Sequence, residues 1–174
     1  MPFTTLDLSK QSGTSLPSSI VTASGLSTGK VLQVIEGDVT TATTITSTSY
    51  VDVSLEATIT PASSSNKVLV MANCNNMKNN TSSGGNGKIR IQHDQGGGSF
   101  TDLQIYEGIL GFNDNDVNNP TPMYLHSANT TNAIKYKIQV AQLSGFSSGS
   151  MRFNNRASDG GTIRSSIILM EIAA

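Results

Sequence analysis

Val51, Val53, Leu55, Ala57 and Ile59 occupy every second position of one stretch, and Asp52, Ser54, Glu56, Thr58 and Thr60 fill the positions between them. A period of two over that length is a half-buried β-strand, because successive Cβ atoms point to opposite faces of a sheet. Pro61 lacks a backbone donor and ends the run, and Ala62 to Asn66 form a small-residue connection. Residues 67–71, KVLVM, then show no polar face. They read as a strand covered on both sides. A sheet with one face in a core and the other against a second body accounts for both patterns.

The rest of the chain repeats this grammar. Residues 31–35 are apolar on both faces and stop at Gly37-Asp38, while residues 40–48, TTATTITST, are β-branched and polar and fit an edge or solvent-facing segment. The strand that begins at Lys67 is expected to run to about Met77. Residues 79–87 form a loop whose Asn86-Gly87 suits a tight hairpin turn. Residues 88–94 alternate, with Ile89, Ile91 and His93 on one side, and Gly96-Gly97-Gly98 breaks them. Strands are expected at 102–107 and 123–127, around a long loop at 111–122, GFNDNDVNNPTP. In residues 134–140, Ile134, Tyr136, Ile138 and Val140 alternate with Lys135, Lys137 and Gln139. Residues 145–149 are loop, 151–154 a short strand, and Asp159-Gly160-Gly161 a turn. SSIILMEI, residues 165–172, closes the series with another strand apolar on both sides. No ten-residue stretch carries a helical stripe. Eight or more strands at regular spacing predict an all-β fold, an antiparallel β-sandwich or jelly roll over residues 30–174.

Residues 1–29 show no periodicity. Phe3, Leu6, Leu8, Leu16, Ile20, Val21 and Leu26 stand isolated among Ser, Thr, Gly and Pro, and such a segment cannot bury enough surface to fold alone. An extended N-terminal arm laid on a partner subunit or neighbouring protein is the expectation. The opening MPFTTLDLSK lacks the basic and then apolar regions of a secretion signal, so assembly in a cytoplasm is expected.

Charge narrows the choice of partners. Charged residues are 13% of the 174 and the net charge is -1, with Lys and Arg dispersed. No basic field exists to attract nucleic acid or an anionic surface. No apolar run approaches the roughly 20 residues of a membrane helix. Cys74 is the sole cysteine, which excludes an intrachain disulfide, so stability must come from packing or oligomerisation.

The strands without a polar face suggest the quaternary state. Residues 31–35, 68–71 and 167–170 lie at the start, middle and end of the domain. In a jelly roll the first and last strands pair in one sheet, which here would be apolar outward as well as inward. A patch of that size on a monomer is a liability. Burial about a symmetry axis removes it, with Val31, Leu32, Val34, Val68, Val70, Ile168, Leu169 and Met170 as the expected contact residues. An Asp at Leu169 or Val70 is accordingly expected to damage assembly.

Motifs for chemistry are weak. Gly145-Phe146-Ser147-Ser148-Gly149 fits G-x-S-x-G, but no helix follows to make a nucleophile elbow. Gly84-Gly85-Asn86-Gly87-Lys88 is followed by Ile89, where a phosphate loop needs Ser or Thr. Asp114 and Asp116 offer oxygen ligands as a calcium loop begins, yet Asn119 stands where its glycine belongs and no Glu arrives at the twelfth position. His93 and His126 are far apart in sequence, without Cys or carboxylate spacing for zinc, and each reads as an ordinary strand residue. Cys74 reads as an inert core thiol. The expectation is a non-enzymatic protein with no catalytic residues, no metal and no cofactor.

Four blocks occur in order: Gly29-Lys30-Val31-Leu32-Gln33-Val34; Tyr50-Val51-Asp52 leading to Ile59-Thr60-Pro61; Ser64-Ser65-Asn66-Lys67-Val68-Leu69-Val70; and Ile168-Leu169-Met170-Glu171-Ile172. Together with Leu6-Asp7-Leu8-Ser9 and Gly13-Thr14-Ser15-Leu16-Pro17, they resemble a group of bacteriophage virion proteins of the tail-fibre-like and capsid-decoration type. The resemblance does not reach residues 76–160. It implies a virion protein with a trimeric jelly-roll domain, and with the apolar strands it leads to a homotrimer. Two roles follow as expectations. In one, the protein decorates the capsid and its arm cements it to the major capsid protein or another virion protein. In the other, it is a tail or head fibre whose loops at 79–87 and 111–122 bind a host-surface glycan. Shortness favours the first, since one arm and one domain leave no shaft.

Overall fold

The computed structural model describes residues 29–80, 86–109, 117–144, 149–154 and 163–174. The arm with Phe3, Leu6, Leu8, Leu16, Ile20 and Val21, the serines of the G-x-S-x-G match, and Asp114 and Asp116 lie outside the described residues.

Among the described residues twelve strands follow one another: β1 (Val31–Val39), β2 (Thr43–Ile45), β3 (Val51–Ile59), β4 (Lys67–Asn73), β5 (Met77–Asn80), β6 (Gly87–Asp94), β7 (Thr101–Glu107), β8 (Val117–Asn118), β9 (Met123–Ser127), β10 (Ile134–Gln142), β11 (Ser150–Phe153) and β12 (Ser165–Ile172). They form three antiparallel sheets, ordered β1-β12-β4-β9, β3-β10-β6-β7 and β2-β11-β5-β8. Numbered by themselves, the eight longest strands make the first two sheets, in the orders 1-8-3-6 and 2-7-4-5. That is the strand order of a jelly roll, two interleaved Greek keys closed into a sandwich. The fold is an all-β sandwich, as the turn spacing predicts, and the first and last strands pair, Val34 opposite Met170 and Ile35 opposite Leu169.

The four short strands have a common origin. β2, β5, β8 and β11 each lie in one of the four connections that cross between the sheets at the same end of the sandwich. Those connections pair with one another and make the third sheet. The opposite end holds the tight connections after β3, β6 and β9 together with Gly29 and Ala173. There Gly29 donates its N–H to the Ala173 carbonyl, and Ala173 returns one to Lys30.

The core lies between the first two sheets. Val53, Leu55 and Ile59 of β3, Ile89 and Ile91 of β6, and Ile134, Tyr136, Ile138 and Val140 of β10 meet Val68, Val70 and Ala72 of β4 and Ile167 and Leu169 of β12. Each large apolar side chain so buried contributes about 1.5–3 kcal/mol.

Local expectations differ from the structure in five places. Asn86-Gly87 is not a hairpin turn: Gly87 opens β6, which pairs with β10 and β7, while β5 pairs with β11 and β8 in another sheet. β1 does not stop at Gly37-Asp38. A Cβ on Gly37 would overlap the Glu56 carbonyl, so the glycine marks where β1 crosses β3 closely rather than a turn. β4 ends at Asn73, and the chain turns through Asn76, whose φ is 50°, before β5 joins another sheet. Residues 40–48 give only three strand residues, and Ile45 among them is fully buried. The predicted loop at 111–122 contains β8, which pairs with Met77 and Lys78.

Candidate functional site: the outer face of the first sheet

The strands read as apolar on both sides do alternate, but between core and an outward apolar face. In β4, Val68 and Val70 turn inward and Leu69 and Met71 outward. In β12, Ile167 and Leu169 turn inward, while Ile168 and Met170 turn outward. Register aligns the outward residues in rows across all four strands. One row runs Val34, Met170, Leu69, Leu125, and the next runs Glu36, Ile168, Met71, Met123. Beyond them the face turns polar at one end, with Asp38, Ser166 and Asn73, and is mixed at the other, where Val31 and Ile172 stand beside Lys67 and Ser127. The two edge strands carry its most exposed apolar side chains, Val34 at 55%, Met123 at 54% and Leu125 at 49%.

Of the eight expected contact residues, Val31, Leu32, Val34, Ile168 and Met170 are exposed or half-buried. Val68, Val70 and Leu169 are not contact residues of a folded chain: each is 0% exposed, because the strand period places it on the core side of its outward neighbours. The sequence reading missed Leu69, Met71, Met123 and Leu125. Alternation alone could not phase KVLVM, since both of its faces are apolar.

The outer face of the second sheet is the opposite in character. Lys135 Nζ lies 2.8 Å from Glu56 Oε1, Lys137 Nζ 2.9 Å from Asp52 Oδ2, and Arg90 Nη1 3.0 Å from Asp102 Oδ1. Arg90 also donates to Gln139 Oε1 at 2.6 Å and lies over the Tyr50 ring, 4.1 Å from its centroid. Apart from Ile105 of β7, which stands beside Arg90 and is exposed, this face is polar and braced within itself.

The end beside Gly29 is fastened by a buried carboxylate. Glu171, with no exposed surface, accepts from the Asn66 amide at 2.6 Å, the Gln33 amide at 2.6 Å and the Ala62 N–H at 2.7 Å. Burial would raise its pKa, but these donors outweigh that and hold it below the usual carboxylate value. At the same end, between β6, β9 and β10, the fold unites the two histidines that sequence distance kept apart. The His93 and His126 rings lie 4.5 Å apart, and His126 Nδ1 is 2.8 Å from the Tyr136 hydroxyl. His93 Nδ1 is buried without a hydrogen-bond partner among the described residues. Burial, reinforced by His93, lowers the His126 pKa to about 4.

At the third-sheet end, Asn75, Asn76, Val117, Asn119, Ile163 and Arg164 line a cleft of about 470 Å³ among the described residues. Asn119 Oδ1 accepts the Asn76 N–H at 2.7 Å. Cys74 is buried, and burial pushes its thiol up to about 12, which leaves it without thiolate at neutral pH. Among the described residues no three His, Cys, Asp or Glu side chains converge as a metal site. No protein-family model matches the chain, and no curated protein is significantly similar to it.

Proposed function

We propose that this chain is a non-enzymatic structural protein of a bacteriophage virion, a homotrimeric capsid decoration protein that its N-terminal arm attaches to the shell. The observation that carries the reading is the polarity of the sandwich. The root of the arm, at Gly29, leaves one end, and the third sheet with the ends of its connections occupies the other. A body anchored at one end and presenting the other suits a protein that sits on a particle. The blocks that resemble virion proteins support it further, since they fall on β1, β4 and β12, three neighbours in one sheet, and on β3, which packs against them.

The alternative reading, a tail or head fibre that binds a host-surface glycan, draws on the cleft with Asn75, Asn76 and Asn119 at the presented end. Amides of this kind suit neutral hydroxylated ligands. A copy count per virion by quantitative mass spectrometry decides. Hundreds of copies fit decoration, a few copies fit a fibre, and absence from purified particles overturns both.

A further inference from the structure

We infer that the outer face of the first sheet is where three copies of this chain meet, the face of each lining one side of a closed triangular core. The inference rests on the trimer in the proposed function and adds the surface, the occupant and the geometry.

The occupant is argued from composition and shape together. Leu69, Met71, Ile168 and Met170 occupy the two central strands and face outward in adjoining rows, bounded by Ser166 and Asn73 at one strand end and by Ile172 and Lys67 at the other. An apolar band of this kind on a sheet needs a second apolar surface. The only other broad sheet surface among the described residues, the outer face of the second sheet, is braced by ion pairs and offers no such match. The apolar face therefore fits itself.

The number of copies follows from the width of the sheet. Four strands spaced by about 4.8 Å make a face about 19 Å wide. Three such faces closed into a triangular prism stand about 5.5 Å from the axis, close to the ~5 Å that each layer fills when sheets pack about 10 Å apart. Four faces would stand about 9.6 Å from the axis and leave the centre empty. Two stacked faces would also pack, but their edge strands would then form the rim, where interfaces are polar. Here the edge strands β1 and β9 carry Val34, Met123 and Leu125, the most exposed apolar residues of the face. In a three-fold ring each β1 edge meets the β9 edge of the next copy, and those side chains are covered.

The test is the mass of the purified full chain in solution, by light scattering and native mass spectrometry. The wild-type chain is expected to be trimeric. Leu69→Asp and Leu125→Asp are each expected to give monomers that still melt cooperatively, and Thr58→Asp, on the outer face of the second sheet, to leave trimers. A monomeric wild type, or variants that stay trimeric, would overturn the inference. Should Leu69→Asp fail to fold, a Val34→Cys/Leu125→Cys chain oxidised with copper phenanthroline decides by itself. Covalent trimers support the ring, and covalent dimers as the end point refute it. Failure of the virion reading is seen separately, as a trimer that purified particles do not contain.

Discussion

Leu169 of β12 and Val70 of β4 stand directly opposite each other, and both turn fully into the core. Their sequence neighbours Met170 and Leu69 form the adjoining pair and turn outward. One strand pair thus serves two apolar environments, and substitutions on its two sides should act differently. Leu169→Ala opens a cavity in the sandwich and is expected to cost about 2–5 kcal/mol. Met170→Ala removes an outward side chain and should cost the isolated chain under about 1 kcal/mol. Urea unfolding at a concentration where the chain is monomeric measures both.

Glu171 offers a second contrast. Its carboxylate satisfies Asn66, Gln33 and the Ala62 N–H in a site closed to water. Glu171→Ala leaves those donors facing a void, and a loss of about 3 kcal/mol is expected. The thermal midpoint should then fall by about 6–12 °C. Because the folded pKa lies below the unfolded one, the carboxylate's contribution is complete above about pH 4.5. It declines as the pH drops further. The variant should therefore lose its deficit in strong acid, which a pH series of melting curves will reveal.

The histidine pair predicts a separate acid sensitivity at higher pH. His126 titrates near 4 in the folded chain, against about 6.5 when unfolded. The unfolded chain therefore takes the proton first. Stability is complete above about pH 6.5 and falls as the pH drops toward 4, with His93 acting in the same direction because burial also lowers its pKa. Discounted for the partial exposure of the ring, the effect is about 1–2 kcal/mol. A His126→Phe chain should show a flatter stability profile between pH 6.5 and 4, and an unchanged slope there would contradict the assignment.

Gly37 is a packing glycine within a strand. A methyl group at this position would meet the Glu56 backbone carbonyl, which cannot swing aside as a side chain could. Gly37→Ala should therefore force β1 from β3 and cost about 1–3 kcal/mol. By contrast, Gly97→Ala, where nothing lies within 4 Å of the added carbon, should stay within about 0.5 kcal/mol of wild type. Paired denaturation curves of the two variants give the comparison.

The eight long strands were legible in the sequence: β9 and β12 have the expected bounds, and the period of two gave the buried row of β3 as Val53, Leu55, Ala57 and Ile59. The pairing of first and last strands also followed, once the strand count pointed to a jelly roll. Three things required the tertiary structure. KVLVM and SSIILMEI have no polar face to fix their phase, so cross-strand register had to decide that Val68, Val70 and Leu169 are core and that Leu69, Met71, Ile168 and Met170 form the outer face. His93 and His126 are 33 residues apart in sequence and gave no local sign of their contact, which arises because β6 and β9 end at the same end of the sandwich. Of the third sheet only β11 was foreseen, as the short strand expected at 151–154; β2, β5 and β8, with two to four residues each, lie below the length at which alternation can be seen, and pairing between distant connections made them strands.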